Sequence, residues 1–228
     1  MKHPPEKELL QSMDDFYIGL QQCLFHVHAS FSANLGSEQY FYQHDPSPRQ
    51  IIHGERIREG ENTVSPHFHI HRKAYQIRPD IGVCTIATPT MLLGCLSGGL
   101  IPTPLLWEEA VRELGMTLSQ ISYENWKTIE QNSEFERGLE KADVICIPHV
   151  GALVVGGSFG QILYRLQVLE RLANMMIIVK QIGKGKILTP TQAQNLIPQG
   201  RRPSHPNHKN EDIYNSTQTS STDDWERW

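Results

Sequence analysis

Cysteine is scarce in this sequence: four residues in 228, at positions 23, 84, 95 and 146, with no Cys-x-x-Cys pair among them. That spacing excludes the usual thiolate zinc modules and is too sparse for a disulfide-stapled secreted scaffold. Cys23, Cys84, Cys95 and Cys146 each stand in an apolar context, so reduced, buried thiols in a cytoplasmic protein are expected. Charge of one sign is also lacking. The 21 Lys and Arg against 25 Asp and Glu leave a net charge of −4, with no concentrated basic surface for nucleic acid or an anionic membrane. The longest apolar runs, Met91–Leu96 and Met175–Val179, are far too short for a bilayer span. Met1–Lys7 lacks the apolar stretch of a signal peptide. Phosphate-binding glycine motifs are missing as well. Gly156-Gly157-Ser158-Phe159-Gly160 opens a helix, where anions are favoured, but it has neither the P-loop lysine nor the dinucleotide spacing.

What is present is enough for one core: 39% hydrophobic residues and 20% charged, the balance of a globular domain. Leu9, Met13, Phe16, Tyr17, Leu20 and Leu24 recur at spacings of three and four and predict an amphipathic helix. Strand character is read in Phe25–Phe31 and Tyr40–Tyr42, and a short hairpin over Gln50–Ile52 and Arg56–Arg58. A helix is expected from His69 to Tyr75, closed by Arg78-Pro79-Asp80. Ile81–Ala87 reads as a buried strand. Helices follow over Thr90–Leu96, Trp107–Leu114 and Glu134–Lys141, with a strand-like Thr117–Tyr123 between the last two. Ala142–Ile147 and Ala152–Gly156 are strands separated by a break at His149-Val150-Gly151. Ser158 is a candidate N-cap with Gln161 as its capping-box partner, and the long helix after it ends near Gly183. Irregular alternation of strands and helices predicts an α/β fold, a mixed sheet covered by helices in a single domain over 1–199. The Ser/Thr/Asn-rich stretch 200–228 reads as a polar, disordered tail, with Trp225 and Trp228 as candidate anchors for a protein partner.

Eleven histidines raise the question of a metal. His67-Phe68-His69-Ile70-His71 would present three imidazoles on one side of a strand, but a helix there points them in different directions. His149 sits at a strand end before a glycine, with no local partner for a nucleophilic triad.

Larger patterns are more specific. His71-Arg72-Lys73-Ala74-Tyr75-Gln76-Ile77-Arg78-Pro79-Asp80-Ile81 resembles the "His-x-x-x-Tyr-x-x-Arg-Pro-Asp-Val" segment of the class II aldolase/adducin family. Pro148-His149-Val150-Gly151 with Gly156 is similar to its "Asn-His-Gly-x-x-x-x-Gly", and Leu169-Glu170-Arg171-Leu172-Ala173 to its "Leu-Glu-x-x-Ala/Cys" helix. Ser37–Phe41 and Leu100-Ile101-Pro102 add fainter matches, so the resemblance runs from Leu9 to Leu196. It implies the class II aldolase-like fold. It also implies a divalent metal, usually zinc, that stabilises charge developing on oxygen during retro-aldol cleavage, and homo-oligomeric assembly.

The same resemblance shows where the chain departs. The family's "His-x-His" ligands fall on Ile86 and Thr88, and its acid/base Glu falls on His67. His149 alone keeps a ligand, with Val150 inserted before the glycine. The "Gly-Asn-x-Ser" phosphate loop is missing, as are about a dozen residues between Phe41 and Ile51. Two readings follow. One is a non-catalytic binding or assembly domain with no resident cofactor. The other is a histidine-dependent or divalent-metal lyase with a rewired site, with His67 as its catalytic residue and His149 as a metal ligand.

Overall fold

A computed structural model describes residues 6–23, 29–36, 39–44, 50–53, 66–129 and 133–197. The N-terminal periodicity forms helix α1 (Glu6–Cys23). Three strands follow, β1 (Ala29–Gly36), β2 (Gln39–His44) and β3 (Gln50–His53), then α2 (Pro66–Ile77), β4 (Val83–Ala87) and α3 (Thr90–Ser97). A 3-10 turn (Pro104–Leu106) leads into α4 (Glu108–Leu114), β5 (Ser119–Gln120), α5 (Tyr123–Lys127) and α6 (Ser133–Lys141). The chain then forms β6 (Val144–Ile147), β7 (Gly151–Gly156), α7 (Phe159–Ile182) and α8 (Pro190–Leu196). Among the described residues the sheet has seven strands, in the order β3-β2-β1-β4-β7-β6-β5. The β5–β6 pair is parallel and the other pairs are antiparallel, so the expected mixed sheet is what forms.

Successive side chains of a strand face opposite ways, and both faces here are apolar. Phe31, Val83, Val144 and Val154 enter one core, with α1, α3, α4 and α7 packed over them. Cys84, Ile86, Ile145 and Leu153 enter the other, beneath α2, α5 and α6. Helices therefore cover both faces of one sheet. On the first face, Phe31 meets Phe16 at 5.2 Å and Phe159 at 6.0 Å, both edge-on. On the second, Phe68 of α2 lies edge-on to Tyr42 at 5.2 Å, which holds the start of α2 over β2.

The family-like motifs act as structural clamps. His71 is fully buried, and its ring nitrogens bond the hydroxyls of Ser30 (2.9 Å) and Ser32 (2.8 Å), fixing α2 to β1. The Tyr75 hydroxyl donates to the Ser32 carbonyl at 2.9 Å, and burial raises its pKa well above the ordinary tyrosine value. Arg78 forks onto both oxygens of Asp80 at 2.8 Å and reaches Asp143 at 3.1 Å. Asp143 also accepts from the buried Arg165 at 2.7 Å. This chain of charges joins the start of β4 to the start of β6 and to α7. The Asp80 hydrogen bond, ahead of the two carboxylate charges, raises the Arg78 pKa.

Several boundaries differ from expectation. The strand read over Phe25–Phe31 is β1, beginning at Ala29; residues 24–28 lie outside the described set, as do Arg56–Arg58 and 198–228. Thr117–Tyr123 is not a strand throughout: only Ser119–Gln120 pairs, and Tyr123 opens α5 because Ser122 caps it by accepting from the Asn125 N–H at 3.2 Å. Ser158 caps α7 as read, accepting from the Gln161 N–H at 3.3 Å, but the Gln161 carboxamide accepts from Gly157 at 2.9 Å rather than from Ser158 itself. The reciprocal capping box stands instead at Thr189 and Gln192 of α8.

Candidate functional site

A cleft of about 720 Å³ lies between the first turn of α2, the end of β4, the β6–β7 turn and α5. His67, His69 and His149 reach its wall, together with Thr88 and Lys127; Ile70, Trp126, Ile129 and Val150 supply an apolar side. Among the described residues no carboxylate lines it. The structure thus brings together two positions far apart in sequence, His67 and His149. The histidine-rich run itself divides: His67 and His69 face the cleft, whereas His71 belongs to the core clamp.

His149 is held by a tight turn. The Val150 N–H donates to the Ile147 carbonyl at 3.1 Å. Pro148 takes the second position and His149 the third, with φ at 64°. This is the pattern of a type II turn, whose third residue is usually glycine or asparagine. A side chain there costs on the order of 1 kcal/mol, and among the described residues His149 alone of the non-glycines has positive φ. Gly151 follows at φ 125°, and a Cβ there would lie 2.2 Å from the Ala87 carbonyl oxygen. Only glycine lets the turn close against β4. His149 is exposed and meets the Tyr123 ring edge-on at 5.7 Å. The Lys127 ammonium lies 4.3 Å from the same tyrosine ring centre, within cation–π range.

The resemblance implies two further ligand positions, at Ile86 and Thr88. Ile86 is 3% exposed, packed in the core beneath α2. The Thr88 hydroxyl donates to the Val150 carbonyl at 3.0 Å. Catalytic zinc takes roughly three protein ligands and one open position. Among the described residues, no three His, Cys, Asp or Glu side chains are placed to hold a metal. The thiols do not help: Cys84 and Cys146 are fully buried, and burial pushes the Cys146 thiol up to about 12 and Cys84 higher still.

The α5 wall of the cleft, Tyr123 to Lys127, was not legible as part of a site. The one local signal is the Ser-x-x-Asn cap, which marks a helix start without saying what it faces.

Helices on both faces of a mixed sheet, with a cleft where the end of β4 meets a histidine-bearing turn, define a class II aldolase-type fold. The profile described as Class II Aldolase and Adducin N-terminal domain matches residues 41–177, more than half of the chain, and the chain belongs to that family. No curated protein matches it by sequence. Solved structures do match in fold. YgbL of Klebsiella pneumoniae, described as a putative aldolase/epimerase/decarboxylase, superposes with a TM-score of 0.67 at 14% identity, over 85% of this chain and 100% of that one. An L-fuculose 1-phosphate aldolase gives 0.66 at 12% identity, over 85% and 95%. An aldolase II superfamily protein from Pseudomonas syringae gives 0.62 at 16% identity, over 97% and 96%.

Proposed function

We propose that this chain is a class II aldolase-type domain whose cleft serves binding or assembly rather than metal-dependent aldol chemistry. The observation that carries this reading is the state of the ligand positions: Ile86 is sealed in the core, and Thr88 is bonded to the backbone of the His149 turn. An uncharged Ile offers zinc nothing, and a neutral hydroxyl very little. Lewis-acid stabilisation of an oxyanion needs a metal held by about three donors, and among the described residues no such set is placed.

The second reading keeps catalysis and uses imidazole as acid or base. It is favoured by one observation, the placement of His149 in a costly conformation at a cleft that His67 also lines. Both readings are compatible with a cytoplasmic homo-oligomer. Among the described residues no helix is long and apolar enough to cross a membrane.

Zinc content of the purified protein, taken with cleavage of L-fuculose 1-phosphate, separates the readings. The binding reading expects sub-stoichiometric zinc and no aldol cleavage with or without added metal. Stoichiometric zinc that is lost on His149→Gly would overturn it. Metal-independent cleavage abolished by His67→Ala would establish the second reading.

A further inference from the structure

The net charge of −4 averages over unlike parts of the chain. No aspartate or glutamate occurs between Glu170 and Glu211, a run that holds seven lysines and arginines. The basic surface that the total charge argued against is therefore present locally. Exposed aliphatic side chains accompany it: Ile178, Ile182 and Ile187 are 45%, 66% and 57% exposed, and Arg171, Lys184 and Lys186 are exposed as well. We propose that the C-terminal end of α7 and the loop after it form a docking surface for an anionic lipid membrane. The isoleucines enter the acyl boundary and the cations rest on the headgroups.

Backbone geometry gathers these residues. Arg171, Ile178 and Ile182 stand at helical spacings that place them in one stripe of α7. The helix stops at Gly183, left-handed at φ 74°, whose N–H donates to the Val179 carbonyl at 3.0 Å. The chain then doubles back, since a Cβ on Gly185 would lie 2.5 Å from a Val179 side-chain carbon. Leu188 donates to the Leu105 carbonyl at 2.8 Å. The loop is thus pinned at both ends, with Lys184, Lys186 and Ile187 exposed between the pins. Carboxylates on the adjoining elements are engaged elsewhere. Glu170 is bonded to the start of α3, Glu108 pairs with Arg112, Glu109 accepts from Tyr164, and Glu113 lies 4.0 Å from Arg165. Residues 88–107, which include α3, carry no Asp, Glu, Lys or Arg.

Composition selects the partner. Interfaces between proteins are depleted in lysine and enriched in aromatic side chains. Single-stranded nucleic acids stack on aromatic rings, and duplex bases are read mainly by arginine and amide side chains. This patch offers branched aliphatics and lysines, which suit neither. A lipid surface uses both, aliphatic side chains below the headgroups and lysines among them. Each cation near an anionic surface contributes roughly fivefold in partitioning, and three together about a hundredfold. The isoleucines add to this by leaving water. The patch belongs to α7, on the opposite face of the sheet from α2 and α5, so it does not depend on what the cleft does.

Co-sedimentation of the full chain with phosphatidylcholine vesicles, with and without phosphatidylserine, tests this. Binding is expected only with phosphatidylserine, and rising salt should release it. Lys184→Glu combined with Lys186→Glu should weaken it by about twentyfold or more. Ile182→Ser combined with Ile187→Ser should weaken it by about fivefold or more, which a purely electrostatic contact would not show. All four side chains are exposed, so folding is retained, as circular dichroism verifies. No binding, equal binding to both vesicles, or indifference to both pairs of substitutions overturns the inference. Tighter binding of poly-glutamate or of a DNA oligonucleotide than of vesicles, lost in the lysine variant, would assign the patch to an acidic protein or to nucleic acid and also overturn it. So would a parent oligomer, seen by analytical ultracentrifugation, that the isoleucine pair dissociates, because the patch would then join two copies of the chain.

Discussion

His149 and Gly151 do opposite things within three residues. Gly151 is demanded twice, by φ of 125° and by the Ala87 carbonyl where its Cβ would lie. Gly151→Ala is therefore expected to cost roughly 3 kcal/mol by combining backbone strain with overpacking, read as a fall in the urea midpoint. His149→Gly should instead leave stability within about 1 kcal/mol of the parent, since relief of left-handed strain opposes the greater entropy of an unfolded glycine. A large loss of stability in that variant would show that the ring holds the turn rather than serving the cleft. The thiols give a third residue-scale expectation. Burial keeps Cys84 and Cys146 protonated, so both should escape iodoacetamide in the native protein and react once it is unfolded, as mass spectrometry of the modified peptides would show.

Among elements, the family motifs prove to be joints. The carboxylate of Glu170, from the Leu-Glu-x-x-Ala run in α7, accepts from the Met91 and Leu92 N–H groups at 2.9 and 3.0 Å. Pro89 supplies no side-chain cap to α3, so Glu170 satisfies that helix start from another element. Glu170→Ala should cost about 1 kcal/mol, the usual value of a lost cap, measured by chemical denaturation. Asp143 bridges Arg78 and Arg165. Asp143→Ala removes the near carboxylate of the buried Arg165, which keeps the Val155 carbonyl and Glu113 at 4.0 Å, and should cost about 2 kcal/mol; a change below about 0.5 kcal/mol would mean that those partners or solvent suffice for Arg165. Most of these elements were legible beforehand, because strands such as 83–87 and helices such as α7 announce themselves by apolar run or period. The stretch 117–123 was misread for a physical reason. Its alternation suits a strand, but the Ser122 hydroxyl takes the Asn125 N–H and starts a helix, and so short a competition is decided by local hydrogen bonding rather than period.

For the molecule as a whole, the missing donors are a positive test as well as a deficit. Restoring histidine at both 86 and 88 should create zinc binding in the cleft, abolished again by His149→Gly, at a cost of about 2 kcal/mol for imidazole in place of a buried aliphatic side chain. Failure to bind zinc in a folded double variant would mean that the His149 turn, with Val150 before its glycine, does not aim its ring at the metal position that the family resemblance implies.

The sequence by itself determined the class of fold, and it placed Ile86 and Thr88, side chains that offer zinc little, where the family resemblance implies two ligands. It also supplied both His67 and His149, joined in one site only through the family resemblance. The tertiary structure places both on one cleft, and it alone decided that His71 bonds two serine hydroxyls in the core and that Lys127 lines the cleft over Tyr123. These depend on how α2 and α5 lie over the far ends of β4 and β6. That placement is set by packing between residues distant in the chain, and no local pattern encodes it.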